Sequence, residues 1–375
     1  MKDILSAFLL ILCVTSCQDH TYSSVIRPLE GERWWGGVMN DGNLQPYEDL
    51  EDFDLGKESR QGATMPFLVS NMGRYVWSDK PFKFSFSDGV LKIRSEYEKV
   101  TPVQAGKTLK EAYLKASTKH FPFNGQTPPE EMFTKPQFNS WIEIAVSGVT
   151  QQVSEEYIDA IAANGFPCGV LMLDGGWMTQ HGSMIFNPET FPQPKRMFEK
   201  IRSYGYKGIL WTSNFISADN RREYLDYRLS CPRKKPLLLE SNEYPGEECI
   251  VHWWSGKSVT FDLTNPEALD EFADILEKFR KEYGFDGFKF DGGDPDFFRG
   301  KAKFYDPEAK ECDFTYAYNL LGLHFPFHEF RIGYKTGGMP IIIRLQDIPH
   351  TWKGLEDATV YVRSRLFSRS SDKRG

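Results

Sequence analysis

Three segments of the sequence run from apolar residues into an aspartate: Leu171-Met172-Leu173-Asp174, Phe288-Lys289-Phe290-Asp291 and Ile343-Arg344-Leu345-Gln346-Asp347. A carboxylate placed this way can attack an electrophile when ionised or deliver a proton when protonated. If the segments are neighbouring parallel strands, their carboxyl ends open on one face and the three carboxylates converge. Buried parallel strands normally read as unbroken apolar runs, yet Lys289 interrupts one. It shares strand parity with Asp291, so both point to the same side while Phe288 and Phe290 point to the other. An ammonium two residues away keeps a carboxylate ionised, the state a nucleophile needs. Lys289 serves equally well as a structural partner of Asp291 without chemistry. A single aspartate behind a strand more often caps the next helix. Three of them, two followed by Gly-Gly (Gly175-Gly176 and Gly292-Gly293) that leaves room for a ligand, favour a site.

The elements that must position these groups fall into two patterns. From about 21 to 104 the sequence is β-like: Lys83-Phe84-Ser85-Phe86-Ser87 alternates, Asp88-Gly89 supplies a tight turn, and Val90-Leu91-Lys92-Ile93 returns. Thr108 to His120 reads as a helix, which closes a β-sandwich domain at 21–120. Residues 121–137, with Pro122, Pro128, Pro129 and Pro136, read as a linker. Beyond it, strands and helices alternate as parallel βα units do. Strands are expected at 138–144, 168–173, 207–212, 285–290, 331–334 and 340–345. Helices are expected from Ser154 as cap to Gly165, over 195–204, and from Asn265-Pro266-Glu267 to Gly284. The fold class is therefore α/β, with residues 138–352 supplying six of the eight strands of a (β/α)8 barrel. The basic tail 353–375 shows neither helix nor strand period.

Composition narrows the partners. A chain of 375 residues with 40% hydrophobic content and a net charge of −7 buries an ordinary core, but has no basic field for nucleic acid or an anionic membrane surface. A neutral substrate fits better. Nine Trp and seventeen Tyr suit sugar faces as well as they suit cores. Residues 1–16 carry an apolar run behind Lys2, too short to span a bilayer and of signal-peptide length. The run ends in Val14-Thr15-Ser16-Cys17, which resembles a lipobox, although Asp3 weakens the usual positive start. Cys17 would then be a lipidated first residue that attaches the chain to a membrane; the plainer alternative is a cleaved signal. Both readings export the protein, to the periplasm, the outer membrane or the cell surface. Cys168, Cys231, Cys249 and Cys312 lack paired metal-ligand spacing and read as buried thiols, with a Cys231–Cys249 bridge as an unsupported option. Trp34-Trp35 and Tyr75-Val76-Trp77 read as core of the β domain. His252-Trp253-Trp254 is placed in a loop, as sugar platform or as packed anchor.

Phe288-Lys289-Phe290-Asp291-Gly292-Gly293-Asp294, with Leu173-Asp174-Gly175-Gly176-Trp177 before it, Ile209-Leu210-Trp211-Thr212-Ser213-Asn214-Phe215-Ile216 and Asp262-Leu263-Thr264-Asn265-Pro266, resembles glycoside hydrolase family 31. The matches keep the family's order from about Gly36 to Trp352. The resemblance implies a β-sandwich, a (β/α)8 barrel and further β domains, and exo-acting, retaining hydrolysis of terminal α-linked sugars in oligosaccharides or simple α-glycosides. By that resemblance Asp291 is the nucleophile and Asp347 the acid/base. Arg331, sixteen residues before Asp347, binds substrate hydroxyls. Asp174, Trp177 and Trp254 wall the subsite of the reacting sugar, and Trp211 and Lys289 join them as substrate-binding residues. Neither metal nor organic cofactor is implied. Such chemistry needs two carboxyl groups about 5–5.5 Å apart, with the proton on Asp347 held by burial and by the nearby negative Asp291. α-Glucosidase, α-xylosidase and α-galactosidase are all within the resemblance. The sequence departs from the pattern at Asp294, where a glutamate is usual, and again just after Trp352. That second break reads as a truncated or frame-shifted product, for which a sugar-binding protein without turnover is the alternative of another class.

Overall fold

The computed structural model describes residues 21–144, 148–219, 237–349 and 351–365. The expected leader 1–16, Cys17 and Cys231 lie outside the described residues. The amino-terminal part holds strands β1 (Tyr22–Ile26), β2 (Trp34–Val38), β3 (Leu50–Asp54), β4 (Ala63–Ser70), β5 (Arg74–Trp77), β6 (Lys83–Ser87), β7 (Val90–Ser95) and β8 (Val103–Gln104). They form two antiparallel arrays, β1-β7-β6-β3 and β4-β5-β8 with β2 on β4. Asp88 and Gly89, at φ 50° and 71°, make the hairpin turn whose register sets Phe84 opposite Ile93 and Phe86 opposite Leu91. Those apolar residues join Trp34, Leu68 and Val76 of the second array in one buried cluster. Trp34, in that cluster, and Tyr75, on the other face of the second array, are both buried as expected. Helix α1 (Leu109–His120) starts in a capping box between Thr108 and Glu111, and seats Ala112 and Ala116 against Met65, Phe67 and Tyr75.

The stretch read as a linker contains a one-turn helix, α2 (Glu131–Thr134), whose Met132 packs on Val170, Met172 and Ile209. Strand β9 (Gln137–Asn139) is shorter than expected, because Asn139 Oδ1 accepts the N–H of Trp141 at 2.9 Å and turns the chain into α3 (Trp141–Ile144). Helix α4 (Gln151–Ala163) is capped by Thr150, not Ser154: Thr150 Oγ1 accepts from Val153 N at 3.2 Å, and Ser154 lies one turn inside. Next come β10 (Val170–Leu173), α5 (Pro194–Ser203) and β11 (Lys207–Ser213). A side branch follows: β12 (Phe215–Ser217), β13 (Glu240–Ser241), β14 (Val251–Trp253) and β15 (Gly256–Thr260). His252 and Trp253 therefore sit on a strand of a hairpin rather than in a loop. Helix α6 (Pro266–Tyr283) begins at Asn265, whose Oδ1 accepts from Glu267 N, and closes on Gly284 at φ 76°. It leads into β16 (Gly287–Asp291), β17 (Ala302–Lys303), α7 (Glu311–Asn319), β18 (Phe327–Phe330), β19 (Gly333–Tyr334) and finally α8 (Trp352–Arg365).

Strands β9, β10, β11, β16 and β18 form one parallel sheet in the order β18-β16-β11-β10-β9, a curled partial barrel. Its fifth strand is β18, not the expected 331–334. The pair Gly333–Tyr334 instead joins β4 of the amino-terminal part. Polar His328 and Glu329 hide β18 from an apolar count. His328 is fully buried yet satisfied: Nε2 accepts from Ile342 N at 2.9 Å, leaving Nδ1 to donate to Phe325 O at 2.7 Å. Burial pushes its pKa down to about 4, so the ring is neutral. The expected strand 340–345 reduces to one parallel bridge, Ile343 to Phe330. The tail opens as helix α8, capped by Thr351 Oγ1 accepting from Gly354 N at 3.0 Å and reinforced by the Lys353–Asp357 pair. Cys249 and Cys312 are buried free thiols, whereas Cys168 is an exposed one.

Candidate active site

The carboxyl ends of β10, β11, β16 and β18 deliver Asp174, Ser213, Asp291 and Arg331 to one face. Parity on β16 is as the sequence requires: Phe288 and Phe290 enter the large apolar core, and Lys289 and Asp291 point the other way. The partner of Lys289 differs from the expectation. Its Nζ donates to Asp174 Oδ2 at 2.7 Å, with both side chains nearly inaccessible, so the ammonium neutralises the carboxylate of β10. Asp174 is thereby held as one end of a buried ion pair, its other oxygen accepting from Gly175 N.

Asp291 is fixed by neutral donors instead. Trp211 Nε1 donates to Oδ2 at 2.9 Å, and Gly292 N donates to Oδ1 at 3.0 Å. Tyr318 Oη donates to the Asp291 carbonyl at 3.0 Å. The two glycines after Asp291 owe their presence to the backbone: Gly292 and Gly293 have φ of 73° and 78°, and a Cβ on Gly293 would lie 2.5 Å from the Tyr318 ring.

Arg331 joins the acidic groups. Its Nη1 is 3.8 Å from Asp291 Oδ1 and 3.7 Å from Asp347 Oδ2, and its Nε is 3.4 Å from Asp294 Oδ2. The guanidinium also lies over the ring of Trp254, 4.9 Å from its centroid. Asp294 is buried, and burial pushes its carboxyl up to about 6 against the pull of Arg331. Ser59, from the amino-terminal part, donates to Asp294 Oδ1 at 3.3 Å, so the shorter acid is met by another segment.

Asp347 departs from the expected burial: its side chain is 77% exposed, in a segment without strand structure. Arg344 Nη1 donates to its Oδ1 at 2.8 Å. Trp177 departs as well. Its fully buried ring stacks on Phe279 of α6 at 5.3 Å, and its Nε1 donates to the Trp211 carbonyl. Gly176 stands at φ 98°, and Trp177 packs behind Trp211 against helix α6. Trp254 is half exposed beside Arg331.

Two further members escape a reading by apolar runs. Glu329, two residues before Arg331 on β18, and Arg344 point into the same interior, Arg344 Nε lying 3.9 Å from Glu329 Oε1. Burial pushes the Glu329 carboxyl up, and Lys289 and Arg344 pull against it. The parity that pairs Lys289 with Asp291 also pairs Glu329 with Arg331, so the signal was present once β18 was placed. Among the described residues no group of three or more His, Cys, Asp or Glu is arranged to hold a metal.

Residues 131–341 match the glycosyl hydrolases family 31 TIM-barrel domain. The myogenesis-regulating glycosidase of Mus musculus is 24% identical over 237 residues, 62% of this chain and 32% of that protein. The alpha-xylosidase XylQ of Lactiplantibacillus pentosus is 24% identical over 319 residues, 77% of this chain and 37% of that protein. The chain thus spans about a third of the length of these curated relatives. Among solved structures, a family 31 dextranase of Flavobacterium johnsoniae complexed with glucose superimposes with a TM-score of 0.73 at 16% identity, covering 93% of this chain and 45% of that one. An α-xylosidase from a soil metagenome complexed with xylose gives 0.72 at 15% identity, covering 93% and 51%. These two likenesses bear on the fold. With more than half of its residues matched to the barrel domain, the chain belongs to glycosyl hydrolase family 31.

Proposed function

We propose that the chain is a retaining exo-α-glycosidase in which Asp291 attacks and Asp347 supplies and recovers the proton. The observation that carries this reading is the Arg331 guanidinium, within ion-pair range of both carboxylates. In the first step an Asp291 oxygen bonds to the anomeric carbon, the glycosidic C–O bond breaks, and its electron pair takes the proton of Asp347. In the second, water attacks the same carbon, gives its proton to Asp347 and releases Asp291. The Trp211 and Gly292 N–H groups hold the attacking carboxylate without titrating. In this reading Asp174 and Arg331 bond sugar hydroxyls, and Trp254 offers an apolar ring beside Arg331. Relatives named α-xylosidase and lysosomal α-glucosidase support a terminal α-xylose or α-glucose; α-galactose is the alternative.

The test is capture of the covalent intermediate on the full chain with a 5-fluoro-α-glycosyl fluoride, followed by peptide mass spectrometry. The expected label sits on Asp291 and is absent from Asp291→Ala, which also loses turnover of 4-nitrophenyl α-glycosides. A label on another carboxylate, or equal turnover by Asp291→Ala, rejects the assignment. The exposure of Asp347 favours one second reading, sugar binding without turnover. Calorimetric binding of a sugar by a chain that hydrolyses no aryl α-glycoside would establish it.

In the same proposal the two antiparallel arrays form one sandwich domain over 21–120 ahead of the barrel at 138–352, supported by the cluster they share. Residues 1–16 act as an export signal and Cys17 as the lipid-bearing residue. Metabolic labelling with a palmitate analogue should tag the chain and fail on Cys17→Ala; equal tagging of both rejects the anchor.

A further inference from the structure

Asp347 has little backbone support. No strand or helix includes residues 344–349, and the Asp347 side chain is 77% exposed. Among the described residues, its carboxylate accepts one hydrogen bond, from Arg344 Nη1 at 2.8 Å, and the Arg331 contact at 3.7 Å is a longer ion pair. Arg344, by contrast, is tied down. Its backbone N donates to Phe330 O at 2.9 Å, extending the parallel ladder beyond β18 by one rung. The same Nη1 also donates to Leu345 O at 2.9 Å, and the Nε edge turns toward the largely buried Glu329 at 3.9 Å. A planar guanidinium can face two carboxylates from two of its edges at once, which an ammonium point charge cannot reproduce.

We infer that Arg344 is a positioning residue that holds Asp347 at the reacting centre, with Glu329 as the buried anchor that orients it. This rests on the reading of Asp347 as acid/base given above. The chain of contacts runs from the sheet to the exposed carboxylate: β18 supplies Glu329, Glu329 orients Arg344, and Arg344 bonds Asp347. An acid set out of place fails most where the leaving group most needs a proton.

The experiment measures kcat/KM of the full chain on an aryl α-glycoside series, from phenyl to 2,4-dinitrophenyl, with the sugar that the wild type turns over. Arg344→Met should lose about 10²-fold on the phenyl glycoside and no more than about threefold on the dinitrophenyl one, whose departure needs no acid. Arg344→Lys should recover only part of the loss, and Glu329→Gln should show the same split at about tenfold. Labelling of Asp291 by a 5-fluoro-α-glycosyl fluoride, in which fluoride leaves, should persist in all three variants. An equal loss across the series while Asp291 still labels overturns the positioning role and leaves the glycosidase reading intact. A wild type that neither labels nor turns over any member overturns both.

Discussion

The carboxylate of Asp291 ends a strand with paired neighbours on both sides, an indole N–H on one oxygen and a backbone N–H on the other. That of Asp347 stands three residues past the last ladder hydrogen bond, exposed, and is met by two arginine side chains. The difference teaches that one site can fix its groups by two means. Under the proposed roles, a nucleophile gains from a rigid frame, because donors already in place need no reorganisation when charge moves. A group that must exchange a proton with a leaving oxygen and then with water can stand at the surface, provided that something rigid points it inward. Arg331 touches both carboxylates and couples the two arrangements.

The largest expected effect separates the frame from the tether. Lys289→Met leaves Asp174 buried and unpaired and should cost about 3–5 kcal/mol in denaturant unfolding, whereas Asp347→Ala should stay within about 0.5 kcal/mol of wild type. Comparable losses for the two variants would break the comparison. A smaller effect concerns the acid that shares Arg331. The Asp294 carboxyl is raised to about 6 in the fold, so the folded state holds that proton more tightly than the unfolded chain does. Its contribution is complete below the unfolded value near 4 and is lost as the pH rises through about 6. Melting profiles between pH 4 and pH 6 should therefore fall more steeply for wild type than for Asp294→Asn. Parallel profiles would show that Asp294 does not titrate in that window.

Much of the frame was legible because it obeys local rules. The Asp88-Gly89 turn, the Asn265 cap with Gly284 closing its helix, and the strands ending at Leu173 and Asp291 all follow from propensity and period. The misses have local causes too. Asn139 stops β9 by bonding its own neighbour, and Thr150 outcompetes Ser154 as a cap because it stands first in line for the free N–H groups. Strand β18 is hidden in the sequence because a buried histidine and a largely buried glutamate stand where apolar residues are expected, the histidine bonded to Phe325 O and Ile342 N and the glutamate facing the charges of Lys289 and Arg344. The tail shows no helix or strand period in sequence, yet Thr351 and the Lys353–Asp357 pair start a helix there.

By itself the sequence determined the family motifs, the alternation of strand and helix, and the parity that sends Lys289 and Asp291 to one side. These depend on neighbours along the chain, where a period of two is enough. Only the tertiary structure decided whom each charge meets: Lys289 with Asp174, 115 residues away, Ser59 with Asp294, and Arg331 among three aspartates. Ion pairs are chosen by distance and burial in space, and neither is written in the spacing of residues along a strand.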